Sequence, residues 1–250
     1  MKKLSQGGME KSKSPKIRLF AGPNGSGKSS LFELIKQDYN INFGSYINAD
    51  LLLKEISEKR FLDFSTYHIQ CSYNDWSDFF KQTSWAEKIS LPQIRILDNV
   101  LVLESEPDTY LAALLADFLR EQLLKVHKTF TFESVMSHPS KISFLEKAQK
   151  NQYRTYLYFV ATENPLINRT RIQSRVLKGG HDVGSDKIDS RYKRTLELLP
   201  EAVQFSNRAF IFDNSLQKIR LIAEITDNEQ LRICDSSLPV WFKHYFLDRF

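Results

Sequence analysis

Gly22-Pro23-Asn24-Gly25-Ser26-Gly27-Lys28-Ser29 decides how this chain is read. The stretch fits G-x-x-x-x-G-K-[ST] at every fixed position. Glycines at these places let a loop wrap so that successive backbone N–H groups point inward, which suits phosphate oxygens. Ile17–Ala21 before it reads as a short strand. After it, Leu31, Phe32, Ile35 and Tyr39 fall on one helical face. A helix opening directly after the loop adds the positive end of its dipole. The expected binding set is Gly22, Pro23, Asn24, Gly25, Ser26, Gly27, Lys28, Ser29 and Ser30. Lys28 reaches the β- and γ-phosphates of ATP, and the Ser29 hydroxyl ligates Mg²⁺.

Working outward, strands are expected at 44–47, 129–132, 153–160 and 209–212, with helices between them near 139–150, 164–178 and 185–200. Asn164-Pro165 opens one helix as cap and first-turn proline, and Gly179-Gly180 ends it. The segments 219–225 and 231–234 read as a C-terminal hairpin. Residues 51–126 carry no obvious strand and are read as a mostly helical insertion, with Ser105-Glu106-Pro107-Asp108 as one helix start. Alternating strands and helices predict an α/β fold with a largely parallel sheet flanked by helices. Ligands then bind at the carboxyl ends of the strands, where Asp50, Glu133 and Asp213 stand.

The 250 residues carry a net charge of +5, and its distribution is uneven. Residues 1–18 hold six basic residues and one acidic, and residues 169–194 hold eight basic and three acidic, so the remainder sums to −5. Such a surface is not the diffuse basic face of a nucleic-acid binder. Residues 1–15 are read as a solvated basic tail, and 16–250 as the folded domain. Arg171, Arg175 and Lys178 share one helical face, and Arg191 and Arg194 another, around the joint 179–184. This pair, about residues 165–199, is read as a lid that brings arginines to developing phosphate charge, or else as a solvated basic helix pair. His181 is read as structural or solvent-facing. Asp50 is a base for an acceptor hydroxyl, a group that holds the metal through water, or a helix cap. Glu133 either positions Mg²⁺ or substrate, or is a polar strand end. Asp213-Asn214 approaches the nucleotide base or caps a turn. The aromatic stretch 61–85 is a binding surface or, as is usual, core. The apolar stretches are too short to span a membrane, the start does not read as a signal peptide, and the expected compartment is the cytoplasm. Cys71 and Cys234 are expected to be free thiols.

Taken together, these residues resemble the zeta-toxin family of P-loop kinases, in its chromosomal zeta-toxin-like branch. The blocks are Ala21–Ser29, Ile47–Asp50, Phe132–Ser137, Gly179–Val183, Arg191–Arg194 and Phe212–Ser215. The resemblance implies ATP- and Mg²⁺-dependent phosphorylation of a small-molecule hydroxyl, in the family that of UDP-N-acetylglucosamine. By the same resemblance Asp50 is the base, Glu133 the acidic residue near the substrate, and Arg175 and Arg191 the phosphate-touching lid arginines. It also brings an antitoxin-like protein into view as a partner. Val135 stands where the toxins have a sugar-nucleotide-binding Thr, and residues 55–125 run longer than in the compact toxins. The alternatives left open are a kinase for another nucleotide or metabolite, and an ATP-dependent switch with a protein partner on the insertion.

Overall fold

In the computed structural model, the phosphate-loop strand β1 (Lys16–Ala21) occupies the middle of a seven-stranded sheet. The structure describes residues 14–84, 86, 92–177 and 185–250, with the side chains of 185–187 excepted. The start of the basic tail, Trp85, Lys178 and the joint with His181 lie outside the described residues. So do the side chains of Ser185 and Asp186, expected to open a helix.

Along the sheet the order is β10-β9-β8-β7-β1-β6-β2. Five strands run parallel: β2 (Ser45–Ile47), β6 (Phe130–Ser134), β1, β7 (Arg154–Ala161) and β8 (Arg208–Asp213). The hairpin of β9 (Arg220–Thr226) and β10 (Gln230–Ile233) adds two antiparallel strands at one edge. The chain passes from β6 to β7 across β1, so the strand order reverses at the phosphate-loop strand. That is where a crevice opens beyond the strand ends.

Alternation along the strands divides the core. Ile17, Leu19 and Ala21 of β1 and Leu157, Phe159 and Ala161 of β7 face the larger apolar cluster. That cluster is completed by α4 (Thr109–Lys125), α5 (Ser140–Lys150), α8 (Leu199–Gln204) and α9 (Val240–Tyr245). Phe20, Tyr158 and Val160 face the other way, against Leu31, Phe32 and Ile35 of α1 (Lys28–Asp38). The helices α6 (Pro165–Val176) and α7 (Ser185–Glu197) follow β7. Asn164 caps α6, its side chain accepting from the N–H groups of Leu166 and Ile167.

One expectation needs correction. Residues 51–126 are not mostly helical. Between α2 (Ala49–Lys59) and α4 they hold α3 (Tyr73–Gln82) and a second, antiparallel sheet of order β3-β5-β4, from β3 (Phe61–Asp63), β4 (Ile94–Leu97) and β5 (Val100–Leu103). The β4–β5 turn is Asp98-Asn99, with φ of 48° and 68°, the conformation that two-residue hairpins require. The helix from 185 ends at Glu197, near Pro200 as expected, and the short helix α8 that follows carries Pro200 in its first turn, where its missing N–H costs nothing. The aromatic stretch is core: Phe64 and Trp76 are fully buried, and the Trp76 ring packs edge-on against Phe118 at 5.3 Å.

Candidate active site

Strand ends and helix starts converge at the carboxyl edge of the parallel sheet. The loop 22–27 leaves β1 there with backbone shapes that side chains resist. Gly22 has φ 150°, and a Cβ on it would come within 2.0 Å of the Val160 carbonyl. Gly27 has φ 102°, and a Cβ there would meet the Asn214 amide at 2.4 Å. Two buried asparagines hold the loop from outside. Asn168 of α6 donates to the Asn24 carbonyl at 2.6 Å, and Asn214, just past β8, donates to the Ser26 carbonyl at 2.8 Å. Asn168 is in turn oriented by a hydrogen bond from Thr162. Ser26 itself is buried. Ser30 lies exposed in the first turn of α1.

Lys28 begins α1. Its ammonium donates to the carbonyls of Gly22 (3.1 Å) and Pro23 (3.2 Å), which leaves a third N–H for the cleft. Burial lowers its pKa from the ordinary lysine value. Glu133 and Asp50 pull it back up, and Arg175 pushes it down. Lys28, Asp50 and Glu133 thus line one end of the cleft, and Arg175 of α6 acts on Lys28 from beside Asp50.

Ser29 and Glu133 are in direct contact: the Ser29 hydroxyl donates to Glu133 Oε2 at 3.0 Å. The other carboxylate oxygen, Oε1, accepts from the Tyr46 hydroxyl. Sheet register explains this meeting. Tyr46 pairs with Thr131, two residues before Glu133 and on the same face, so the two side chains are diagonal neighbours. The Tyr46 ring is stacked on Phe32 of α1 at 4.0 Å. Burial and the Glu133 carboxylate push the Tyr46 phenol far above its usual pKa, so it stays protonated and donating. Asn48 Nδ2 donates to the Tyr46 hydroxyl oxygen at 3.4 Å.

Asn48 also decides the status of Asp50. The side chain that caps α2 is that of Asn48, which accepts from the N–H groups of Asp50 (2.9 Å) and Leu51 (3.3 Å). Asp50 sits inside the first turn, exposed, with Arg175 of α6 3.9 Å away. The capping alternative for Asp50 therefore fails, and its carboxylate faces the cleft.

Arg191 of α7 lines the same cleft and has no ion-pair partner among the described residues. Its helix is pinned on both sides of it. Tyr192 donates to the Thr162 carbonyl at 2.6 Å, and Thr195 to the Val135 carbonyl at 2.9 Å. An ion pair between Arg169 and Asp189 joins α6 to α7. Arg171, one turn before Arg175, diverges from it and donates to the Leu216 carbonyl at 3.4 Å. Arg194 turns back on its own helix, donating to the Ser190 carbonyl.

Asp213 is not a ligand-facing group. It is 1% exposed and accepts from Ser215 (2.6 Å), Trp241 (3.0 Å) and Arg220 (3.1 Å). It ties β8 to the hairpin and to α9. Its neighbour Asn214 supports the phosphate loop rather than approaching a base. Sequence reading passed over Tyr46 and Asn168. A tyrosine in the middle of the strand before Asp50 and an asparagine inside a helix were the faint signals for them.

The cleft has a volume of about 670 Å³ and runs from Asn24 and Lys28, past Asp50, Glu133 and Arg191, to α4 and α5. Ser29 and Glu133 offer adjacent hard oxygen donors, which fit Mg²⁺. No cluster of three metal-binding side chains exists among the described residues, so the donor set suits an ion shared with phosphate oxygens rather than an all-protein cage.

Across 98% of this chain and 83% of the other, the fold is similar to a chain from the PezAT chromosomal toxin–antitoxin system of Streptococcus pneumoniae, at 14% identity and a TM-score of 0.51. This is a zeta-toxin-like P-loop kinase fold. A second similar structure is the AvrRxo1-ORF1:AvrRxo1-ORF2 complex with ATP, at 10% identity and a TM-score of 0.52; the match covers 88% of this chain and 60% of that one. In sequence, 69 residues are 33% identical to an uncharacterized protein of Haemophilus influenzae, spanning 28% of this chain and about half (49%) of that relative. No family model matches the chain. No helix among the described residues is long and apolar enough to cross a membrane.

Proposed function

We propose that this chain is a phosphotransferase that moves the γ-phosphoryl group of ATP to a hydroxyl of a small-molecule acceptor. One observation carries the reading: Lys28, Asp50 and Glu133 line one end of a single cleft with Arg175 beside Asp50, and Asp50 is there without a capping duty. The loop amides and Lys28 bind the triphosphate. Ser29 and Glu133 would hold Mg²⁺, which supplies charge neutralisation across the β- and γ-phosphates. Asp50 accepts the proton of the acceptor hydroxyl as its oxygen bonds to phosphorus and the bond to the leaving diphosphate breaks. Arg175 and Arg191 stabilise charge on the transferred group. The resemblance of the motif blocks makes a UDP-N-acetyl sugar the first acceptor to try. The toxin–antitoxin and ORF1:ORF2 complexes among the similar structures support a protein partner in the antitoxin style.

The test is Asp50→Asn, which keeps size and removes the basic site. Incubation with ATP, Mg²⁺ and a panel of nucleotide sugars and other alcohols, read by mass, identifies the acceptor. Transfer to it should fall by about a hundredfold or more in the variant, with ATP affinity nearly unchanged. Wild-type transfer rates in the Asn variant would remove Asp50 as the base.

A further inference from the structure

The cleft does not end at the phosphate loop. Its other end is walled by α4 and α5, and there charge has been buried where a structural role does not require it. Asp117 of α4 bridges to α5 by accepting from Lys141 Nζ at 2.9 Å. The same oxygen, Oδ1, also accepts from Arg120 Nη2. Two cations therefore share one carboxylate oxygen. Arg120 is 5% exposed, its guanidinium lies 4.6 Å from the Phe132 ring centre and 5.2 Å from that of Phe144, and its buried Nε has no hydrogen-bond partner. The Lys141 side chain is 20% exposed. Both line the cleft.

A tie between two helices needs one cation for one carboxylate. A second buried cation adds desolvation cost, and among the described residues it has the two rings but no second carboxylate. Nearby, Lys147 and Glu121 form a matched pair at 2.5 Å, and His138 bonds Ser140 at 2.9 Å, so neither offsets the excess. Among the described residues the surplus is one positive charge, with a buried, unpartnered guanidinium N–H, in a wall of the cleft.

We propose that the α4–α5 end of the cleft is an anion subsite, in which Lys141 and Arg120 bind a phosphate or carboxylate group carried by the acceptor. The subsite rests on the phosphotransferase reading only in assigning the anion to the acceptor. It implies that the acceptor presents its hydroxyl to Asp50 while its acidic group reaches the far wall.

The experiment uses the full chain saturated with Mg²⁺ and a non-hydrolysable ATP analogue, so that the phosphate loop is occupied. Glycerol 3-phosphate, glycerate and glycerol are then titrated by calorimetry. At least one anionic probe should bind about tenfold or more tightly than glycerol, the scale of a charge-assisted hydrogen bond. Which one does so separates phosphate from carboxylate. Lys141→Gln should remove that preference and Lys141→Arg should keep most of it, with analogue affinity and thermal melting showing both variants folded. Equal affinity for all three probes, no binding by any, or a preference that survives Lys141→Gln overturns the subsite. Absence of phosphoryl transfer would instead count against the kinase reading and leave these titrations intact.

Discussion

Lys141 shows at the scale of a single residue what the cleft costs the fold. Burial, aided by Arg120 and opposed by Asp117, lowers its pKa from the ordinary 10.5 to about 8. Between those values the unfolded chain binds the proton and the folded chain does not, so this group makes stability rise with pH across that window. Below pH 8 the full penalty is present. Lys141→Met should therefore stabilise the protein at pH 7, by up to about 3 kcal/mol, with the gain shrinking as the pH passes from 8 towards 10. Urea melts at pH 7 and pH 10 would show it, and an equal gain at both would deny the buried charge. Tyr46 makes a second residue-scale case. Tyr46→Phe removes the hydroxyl that orients Glu133 while keeping the ring stacked on Phe32. Stability should change by only about 1 kcal/mol, while the Mg²⁺ concentration needed for half-maximal transfer should rise. An unmoved Mg²⁺ curve would make the Tyr46 hydroxyl a packing detail. Neither residue stood out in the sequence. The phosphate-binding loop is legible because its chemistry is local, eight consecutive residues with fixed types. Tyr46–Glu133 and Lys141–Arg120 arise from pairing across strands and helices 87 and 21 positions apart, and spacing along the chain says nothing of them.

Among elements, those called correctly carried their own punctuation. Asn164-Pro165 opens α6 as its residues signal, and the start read at 105–108 falls at the last of those residues, Asp108, which caps α4. The second sheet was missed because its strands have three or four residues each and its decisive turn, Asp98-Asn99, lacks the glycine that usually marks a two-residue hairpin. Asn99 compensates with its side chain, accepting from Cys71 N–H and donating to the Ile69 carbonyl. The basic helix α6 was legible as a charged face, but not as one whose arginines part company. Arg171 goes to the loop after β8 and Arg175 to Asp50. Of the two, only Arg175 lies beside Asp50, where the proposed transfer would develop charge. Arg175→Ala should lower kcat by about tenfold or more and leave the affinity for ATP nearly unchanged, because a contact that strengthens in the transition state is lost mainly from the rate. Equal losses in both would make it a ground-state contact, and no loss would return it to a solvated helix face.

Over the whole molecule, the parallel sheet, its flanking helices and the antiparallel terminal hairpin follow from the alternation of strands and helices in the sequence. What that alternation does not reveal is how rigidly each arginine-bearing helix is attached. Two hydrogen bonds, Tyr192 to Thr162 and Thr195 to Val135, moor α7 to the ends of β7 and β6, and Tyr192, Thr195 and Leu196 are buried. The C-terminal turn of α6 is more open, with half of the Arg175 side chain exposed. Local opening should respect that difference. In native-state hydrogen exchange, the amides of residues 192–196 should open only with the central strands, at or near the free energy of global unfolding, whereas those of residues 173–176 should exchange through smaller fluctuations. Arg191 would then be a stationary post and Arg175 a swinging latch, so that the timing of catalysis rests on α6 alone.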